Sequence, residues 1–163
     1  GLSFCSPPAP AEPIKSMHKQ IICMADNIYW EARNQPVRGM WAVALVTNNR
    51  VEDDRFPDTV CEVIKQGPTS KWWFKKHGKI VPIKHRCQFS WYCDGKSDEV
   101  RADEKQQWFE AMSAAMQVMS GTHDDLVDGA LWYHADYVDP DWNENKEITS
   151  IIGDHIFYKD PTE

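Results

Sequence analysis

Several signatures of common enzyme classes are missing from this 163-residue sequence. No run of about 18 apolar residues occurs, so no membrane-spanning helix is expected. The sequence contains none of four catalytic or cofactor-binding motifs: H-E-x-x-H, G-x-S-x-G, the Walker loop and the dinucleotide glycine fingerprint. Zinc peptidases, serine hydrolases and nucleotide-binding enzymes are therefore without support. No pair of C-x2-C units is present, so a structural zinc site is not expected either.

Positive charge is also scarce, since 18 Lys and Arg stand against 25 Asp and Glu and the formal net charge is −7. Binding to phosphates needs a basic face, so this balance argues against nucleic acid as a partner. Hydrophobic residues make up 42% and charged residues 26%, which is typical of one domain with a packed core. Aromatic residues reach 12% and suit sugar rings, although most of them are expected in the core.

The five cysteines are many for a reducing compartment and few for a disulfide-dense mini-protein. They are Cys5, Cys23, Cys61, Cys87 and Cys93. An odd number leaves at least one free thiol if the others pair. The first four residues lack the charged and apolar regions of a signal peptide, so we expect a mature or truncated form.

The sequence divides into a predicted Pro-rich tail or linker, 1–15, and one domain, 16–163. Helices are predicted from Ser16 to Arg33, Val37 to Val51, Pro57 to Gln66 and Ser97 to Ser120, from apolar spacing and end signals. Residues 67–81 are rich in aromatic and basic side chains and predict a long exposed loop. These aromatics either lie on the domain or form a patch that faces the wall or the membrane.

Alternating residues predict a strand from Cys87 to Cys93, followed by a turn at Asp94-Gly95. Further strands are predicted at 130–134 and at 148–158, the latter broken at Gly153-Asp154. The predicted fold class is α+β, mainly helical with a small β-hairpin or sheet portion.

With zinc, serine and nucleotide chemistry unsupported, catalysis by a carboxyl group becomes a leading candidate. Glu31 lies on the flank of the apolar face of the first predicted helix, beside Trp30, where burial could raise its pKa. From position alone, a solvated Glu at a helix end is the alternative. A Cys nucleophile with a distant His, such as Cys93 with His134, also stays open. Cys93 is nevertheless expected to be in a disulfide, with Cys87 as its first candidate partner and Cys61 as its second.

Four ordered blocks carry a more specific signal. They are N-I-Y-W-E-A-R at 27–33 with the stretch that follows to residue 64, Q-F-S-W at 88–91, G-A-L-W-Y-H at 129–134 and I-G-D-H at 152–155. Together they resemble the bacterial spore cortex-lytic enzymes and related cell-wall hydrolases over roughly residues 20–159. The chain departs from the family at Trp30, where a Gly is common, and at residues 70–84, which have no close counterpart.

This resemblance implies a lysozyme-like fold that acts on peptidoglycan through a single essential Glu, which maps onto Glu31. No second carboxylate stands at a recognisable partner position, so a lytic transglycosylase is predicted. In that reaction the 6-hydroxyl of the sugar is the nucleophile. Asp94 and Asp136 are the acids that would make the enzyme a hydrolytic muramidase instead.

Five residues are candidates for binding the sugar: Gln88, Ser90, Tyr133, His134 and Tyr137. The first two share one face of the predicted strand and offer an amide and a hydroxyl. The other three belong to the closing blocks, where support of the fold is the alternative role. His155 is expected to be structural.

The expected partner is the glycan strand, with no nucleic acid, no cofactor, no metal and a monomeric chain. A periplasmic or other envelope enzyme and a virion-associated phage lysin both fit. Two other functions stay open, a peptidase or amidase that cuts the stem peptide and a non-catalytic module that binds the wall.

Overall fold

The computed structural model describes the backbone of residues 12–121 and 123–162, with side chains described from residue 16 onward. The helices are α1 (Glu12–Ala32), α2 (Val37–Glu52), α3 (Val60–Ile64), α4 (Lys71–His77) and α5 (Lys105–Met119). Three short 3-10 helices span Ser90–Cys93, Ala102–Glu104 and Asp141–Asn145. The strands are β1 (Trp132–Ala135), β2 (Glu147–Ile152) and β3 (His155–Lys159).

The main core lies where α1, α2 and α5 pack together. On α1, Met24, Ile28 and Tyr29 recur at helical spacing and are fully buried. On α5 the buried residues are small, as at Ala111 and Ala115, so the helices can approach closely. Glu31 lies two residues after Tyr29, at the edge of this buried face.

The three strands form an antiparallel sheet in the order β1-β3-β2. Gly153 makes the turn between β2 and β3 with a φ of +57°, a left-handed conformation that glycine adopts without strain. Phe157 on β3 is fully buried against Ala42 and Val46 of α2. The sheet is therefore anchored on α2, and β1 lies beside the C-terminal end of α1. The predicted fold class, mainly helical with a small sheet, is confirmed.

The first helix starts earlier than predicted, at Glu12 and not at Ser16. Pro13 is compatible with this start because the first turn of a helix needs no N–H partner. Of the predicted tail, residues 1–11 lie outside the described residues, as does Cys5.

Two further helices differ from their predictions. The third spans only Val60–Ile64, and it begins later than predicted because the Thr59 hydroxyl caps it by accepting from the Glu62 amide at 3.2 Å. The predicted helix from Ser97 begins only at Lys105, after a 3-10 turn over Ala102–Glu104.

The prediction that residues 67–81 form a loop is wrong over its central part, where α4 spans Lys71–His77. The Ser70 hydroxyl accepts from the Trp73 amide at 3.3 Å, and Gly78 ends the helix in the left-handed conformation. None of the α4 side chains is buried. An exposed helix leaves no apolar stripe in the sequence, which is why periodicity missed it.

The predicted strand from Cys87 to Cys93 is also wrong. Ser90–Cys93 is a 3-10 helix, and a disulfide joins Cys87 to Cys93 with their Cα atoms 6.0 Å apart. A strand rises about 3.3 Å per residue, so six steps would separate the two Cα atoms by about 20 Å. The strand and the disulfide predicted from the same residues were therefore incompatible, and the disulfide is what the structure contains.

A second disulfide joins Cys23 of α1 to Cys61 of α3. Cys61, the second candidate partner for Cys93, is thus occupied elsewhere. None of the described helices combines the length and apolar character that crossing a lipid bilayer requires.

Candidate active site

A two-chamber cleft opens where the end of α1 meets β1. The larger chamber measures about 530 Å³ and the smaller about 300 Å³. Five residues line both chambers: Trp30, Glu31, Ala135, Tyr137 and His155. Glu31 therefore lies at the junction, where an extended polymer running along the cleft would pass it on both sides.

The Glu31 carboxyl is placed by the last turn of α1, and its environment changes its acidity. Burial raises its pKa from an ordinary 4.5 to about 7. The Arg50 guanidinium and the Tyr133 hydroxyl both favour the carboxylate and limit this rise. The balance lets both the acid and the carboxylate be populated near neutral pH, which is the property of a group that donates a proton and later accepts one.

Arg50 reaches the site from the buried side of α2. Its Nε donates to the Leu131 carbonyl at 2.7 Å, and its guanidinium lies over the rings of Phe56 and Phe89 at 5.2 and 5.4 Å. The neighbouring Asn49 amide donates to the Ala130 carbonyl at 2.9 Å. These bonds fix the chain just before β1, and they leave the Arg50 Nη1 without a partner among the described residues.

Tyr133 extends from β1 toward Glu31. Its ring packs against His155 and Phe157, with centroids 5.1 and 5.5 Å apart. Burial, and then the negative charge of Glu31, raise the pKa of the phenol well above its ordinary value, so it stays protonated at neutral pH. Its hydroxyl stabilises the Glu31 carboxylate but forms no well-aligned hydrogen bond to any described group.

Trp30 forms an aromatic wall beside the acid. Its ring stacks on Trp91 with centroids 6.3 Å apart, and the Arg33 guanidinium lies 5.1 Å from its centre. Arg33 is held in turn by an ion pair with Glu104 at 3.2 Å, and Trp91 donates to the Asn27 side chain at 2.9 Å. The ring therefore has a fixed orientation, as a surface that stacks on a sugar requires.

The predicted sugar-binding residues all line the larger chamber, although no strand carries them at 87–93. Gln88 and Ser90 are exposed there, and Tyr137 is 83% exposed at the mouth. His134 differs, because both of its ring nitrogens are engaged at 2.7 Å, Nδ1 with the Ala135 carbonyl and Nε2 with the Tyr158 hydroxyl. His134 thus has the contacts of a residue that supports the cleft wall.

Neither of the two acids considered as partners of Glu31 lines the cleft. Asp136 is exposed, and Asp94 caps its own turn by accepting from the Lys96 amide at 2.9 Å. The second carboxylate that does line it, in the smaller chamber, is Asp154. Gln35 holds Asp154 reciprocally, donating to its carboxylate at 3.0 Å and accepting from its amide at 2.9 Å.

Sequence reasoning missed Arg50, Phe89, His155 and Asp154 as cleft residues. Arg50 had a usable signal, since a cation on the apolar side of a predicted helix needs a partner. His155, expected to be structural, is buried, and burial lowers its pKa. Within the described part of the chain, no group of three His, Cys, Asp or Glu side chains is arranged to hold a metal ion.

The sequence of residues 34–158 matches the family model described as cell wall hydrolase, which is more than half of the chain. The chain therefore belongs to the cell wall hydrolase family. The match begins three residues after Glu31, so it covers most of the cleft but does not itself include the acid.

Two solved structures are similar to this fold. One is the catalytic domain of the Bacillus cereus SleB protein, with 27% identity, 94% coverage of both chains and a TM-score of 0.60. The other is the catalytic domain of the germination-specific lytic transglycosylase SleB from Bacillus anthracis, with 24% identity, coverage of 94% of this chain and 100% of that one, and a TM-score of 0.55. No curated protein sequence matches the chain significantly.

Family membership and two disulfides together place the protein outside the cytoplasm, in the cell envelope.

Proposed function

We propose that this chain is a lytic transglycosylase that cleaves peptidoglycan between N-acetylmuramic acid and N-acetylglucosamine. The observation that carries the proposal is Glu31, a carboxyl group with a pKa of about 7 at the junction of a two-chamber cleft. The similar structure from Bacillus anthracis is that of a lytic transglycosylase, which supports the same reaction class.

In the proposed reaction, protonated Glu31 donates its proton to the glycosidic oxygen, and the bond from that oxygen to C1 of the muramic residue breaks. The 6-hydroxyl of the same residue attacks C1, and the Glu31 carboxylate takes the hydroxyl proton. A 1,6-anhydro end forms, and Glu31 is protonated again. Because one group performs both transfers, a pKa near 7 serves each of them.

Other residues of the cleft assist this step in the proposal. The Arg50 charge and the Tyr133 hydroxyl stabilise the Glu31 carboxylate between the two proton transfers. Gln88, Ser90 and Tyr137 offer polar groups to the sugars from the wall and mouth of the larger chamber. His134 keeps the wall in place through its two hydrogen bonds.

A hydrolytic muramidase is the second candidate, and Asp154 in the smaller chamber is the observation that favours it. In that reaction Asp154 would activate water or bond to the sugar. We favour the transglycosylase because the Asp154 carboxylate is already bound by Gln35.

The chemical form of the released sugar end tests the proposal. Purified sacculi are digested, and product masses are compared before and after borohydride reduction. Anhydro ends resist reduction and are one water lighter. Reducible muramic ends would assign the hydrolytic reaction, release of stem peptides without new sugar ends would assign a peptidase or amidase, and intact sacculi would leave a wall-binding module.

Two variants identify the acid. Glu31→Gln removes the exchangeable proton at constant size, and we expect muralytic activity to fall at least about a hundredfold. Asp26→Asn is the matched control, because the pKa of Asp26 is also raised, to about 6, by burial and then by Asp98, yet Asp26 does not line the cleft. Equal losses in the two variants would refute the assignment of Glu31.

A periplasmic enzyme and a virion-borne one both meet the requirement for an oxidising location. Cell fractionation together with analysis of purified virions would distinguish them.

A further inference from the structure

Charge is strongly segregated along this acidic chain. Residues 63–93 contain seven Lys and Arg and no Asp or Glu, whereas the rest carries 25 acidic against 11 basic residues. The basic side chains of the segment are Lys65, Lys71, Lys75, Lys76, Lys79, Lys84 and Arg86. The cleft residues do not account for this segregation, since the basic residues of the segment are absent from both chambers.

Residues 68–83, in the middle of this segment, form an excursion from the domain, and backbone hydrogen bonds join its two ends at the base. Antiparallel backbone bonds join Ser70 to Val81 at 2.8 Å and Ile83 to Pro68 at 3.0 Å. Between them, α4 is capped at both ends and Gly78 begins the return. The excursion is therefore an ordered projection, because its base and its helix are both satisfied locally.

The tip of the projection exposes apolar side chains. Trp72 is 56%, Phe74 62% and Ile80 77% exposed, and Trp73 is 39% exposed. Every residue from Lys71 to Ile80 is exposed. Four large apolar side chains within nine residues, interleaved with lysines, form what we call the α4 patch (residues 71–80).

We propose that the α4 patch docks on the surface of an anionic phospholipid bilayer. Its lysines complement lipid phosphates, and its Trp, Phe and Ile side chains are those that enter the boundary between headgroups and acyl chains. The Lys76 ammonium lies 5.0 Å from the centre of the Trp72 ring, so charge and aromatic surface are presented together.

A glycan strand fits the patch less well. Sugar platforms use aromatic faces with hydrogen-bonding groups at their edges. Phe74 and Ile80, the most exposed apolar residues of the patch, carry no polar atom in their side chains. The carboxyl groups of peptidoglycan are spread along its muramic residues and stem peptides, whereas a bilayer rich in phosphatidylglycerol offers many negative charges on one surface to the segregated lysines.

Docking would hold the cleft close to the membrane. The Gln88 backbone amide donates to the Gln66 carbonyl at 2.8 Å, so the chain two residues before the base of the excursion is bonded to a residue that lines the larger chamber. Glycan strands nearest the bilayer would then be the ones that reach Glu31. This inference does not depend on which bond the enzyme cleaves.

Co-sedimentation with vesicles tests the proposal on the full chain. We expect binding to vesicles of phosphatidylglycerol and phosphatidylcholine, at least about tenfold weaker binding to phosphatidylcholine alone, and weakening by 0.5 M salt. Lys75→Glu with Lys76→Glu should reduce binding at least tenfold, as should Trp72→Ser with Phe74→Ser.

The matched controls lie on α5, where Lys105 and Phe109 are also exposed. Lys105→Glu and Phe109→Ser should leave vesicle binding unchanged, and all variants should keep the wild-type circular dichroism and the activity on detached sacculi. Absence of vesicle binding, or equal losses in the α4 and α5 variants, would overturn the proposal. Loss of binding to sacculi in the α4 variants, with vesicle binding intact, would overturn it in favour of wall docking.

Discussion

Relative to wild type, the Glu31→Gln variant should gain stability as the pH rises. The folded pKa of Glu31 is about 7 and its ordinary value is 4.5. Between these two values the folded state holds a proton that the unfolded chain has released. The free energy of unfolding of the wild-type protein therefore falls as pH rises through this window and stays low above it.

The size of the effect follows from the distance between the two pKa values. A change of one pKa unit corresponds to about 1.4 kcal/mol, so the shift from 4.5 to about 7 changes the free energy of unfolding by about 3 kcal/mol across the window. The Gln side chain does not titrate and lacks this contribution. The attraction between Arg50 and Glu31 exists only for the ionised carboxylate, and its effect is already contained in the pKa of about 7.

Urea unfolding followed by tryptophan fluorescence at pH 4, 5.5, 7 and 8, with the disulfides intact, measures the difference. Titration of other groups occurs in both proteins and cancels. We expect the stability of the variant relative to wild type to rise by about 2–3 kcal/mol from pH 4 to pH 8. With Asp26→Asn the corresponding rise should level off earlier, just above pH 6, because the pKa of Asp26 lies at about 6. A difference for Glu31→Gln that is constant with pH would refute the raised pKa.

Three other perturbations have defined outcomes. Tyr133→Phe should lower activity on sacculi about tenfold or more while leaving stability within about 1 kcal/mol, since its hydroxyl has no well-aligned partner; a loss of fold on thermal melting would contradict this. Cys23→Ser with Cys61→Ser opens a link across 38 residues and should cost about 3–4 kcal/mol in urea unfolding, against about 2 for the six-residue link; the reverse order would refute the loop-length argument. Gly153→Ala places a Cβ against the Gln35 side chain at a residue with a φ of +57° and should cost about 1–3 kcal/mol. A melting temperature equal to wild type would contradict both the close contact and the backbone strain.

Sequence periodicity predicted the helices whose faces are buried on one side. The second helix was predicted from Val37 to Val51 and ends one residue later, because its apolar spacing follows the core it packs on. The fully exposed α4 has no such spacing, and the 3-10 turn at Ser90–Cys93 imitates the alternation of a strand. The conformation of such short segments is set by helix caps and disulfides, and the spacing of apolar residues gives no sign of either.

The candidate acid was proposed from the family resemblance, because position alone favoured a solvated Glu31. Its environment depends on Arg50 and Tyr133, which come from α2 and β1 and are far from it in sequence. The Cys23–Cys61 link was likewise absent from the predicted pairs, since nothing local in the sequence shows that α1 and α3 lie side by side. Long-range packing decides such contacts, and a single sequence does not report it.

The assembly of the acid from three distant segments has a biological consequence. In an unfolded chain Glu31 is an ordinary carboxyl group that has lost its proton at neutral pH, and only docking of α1, α2 and β1 lets it keep one. If Glu31 is the acid, as proposed, a chain that has not completed this docking lacks a protonated carboxyl at neutral pH. The proton that the proposed reaction needs is thus a property of the completed fold and not of the Glu31 side chain alone.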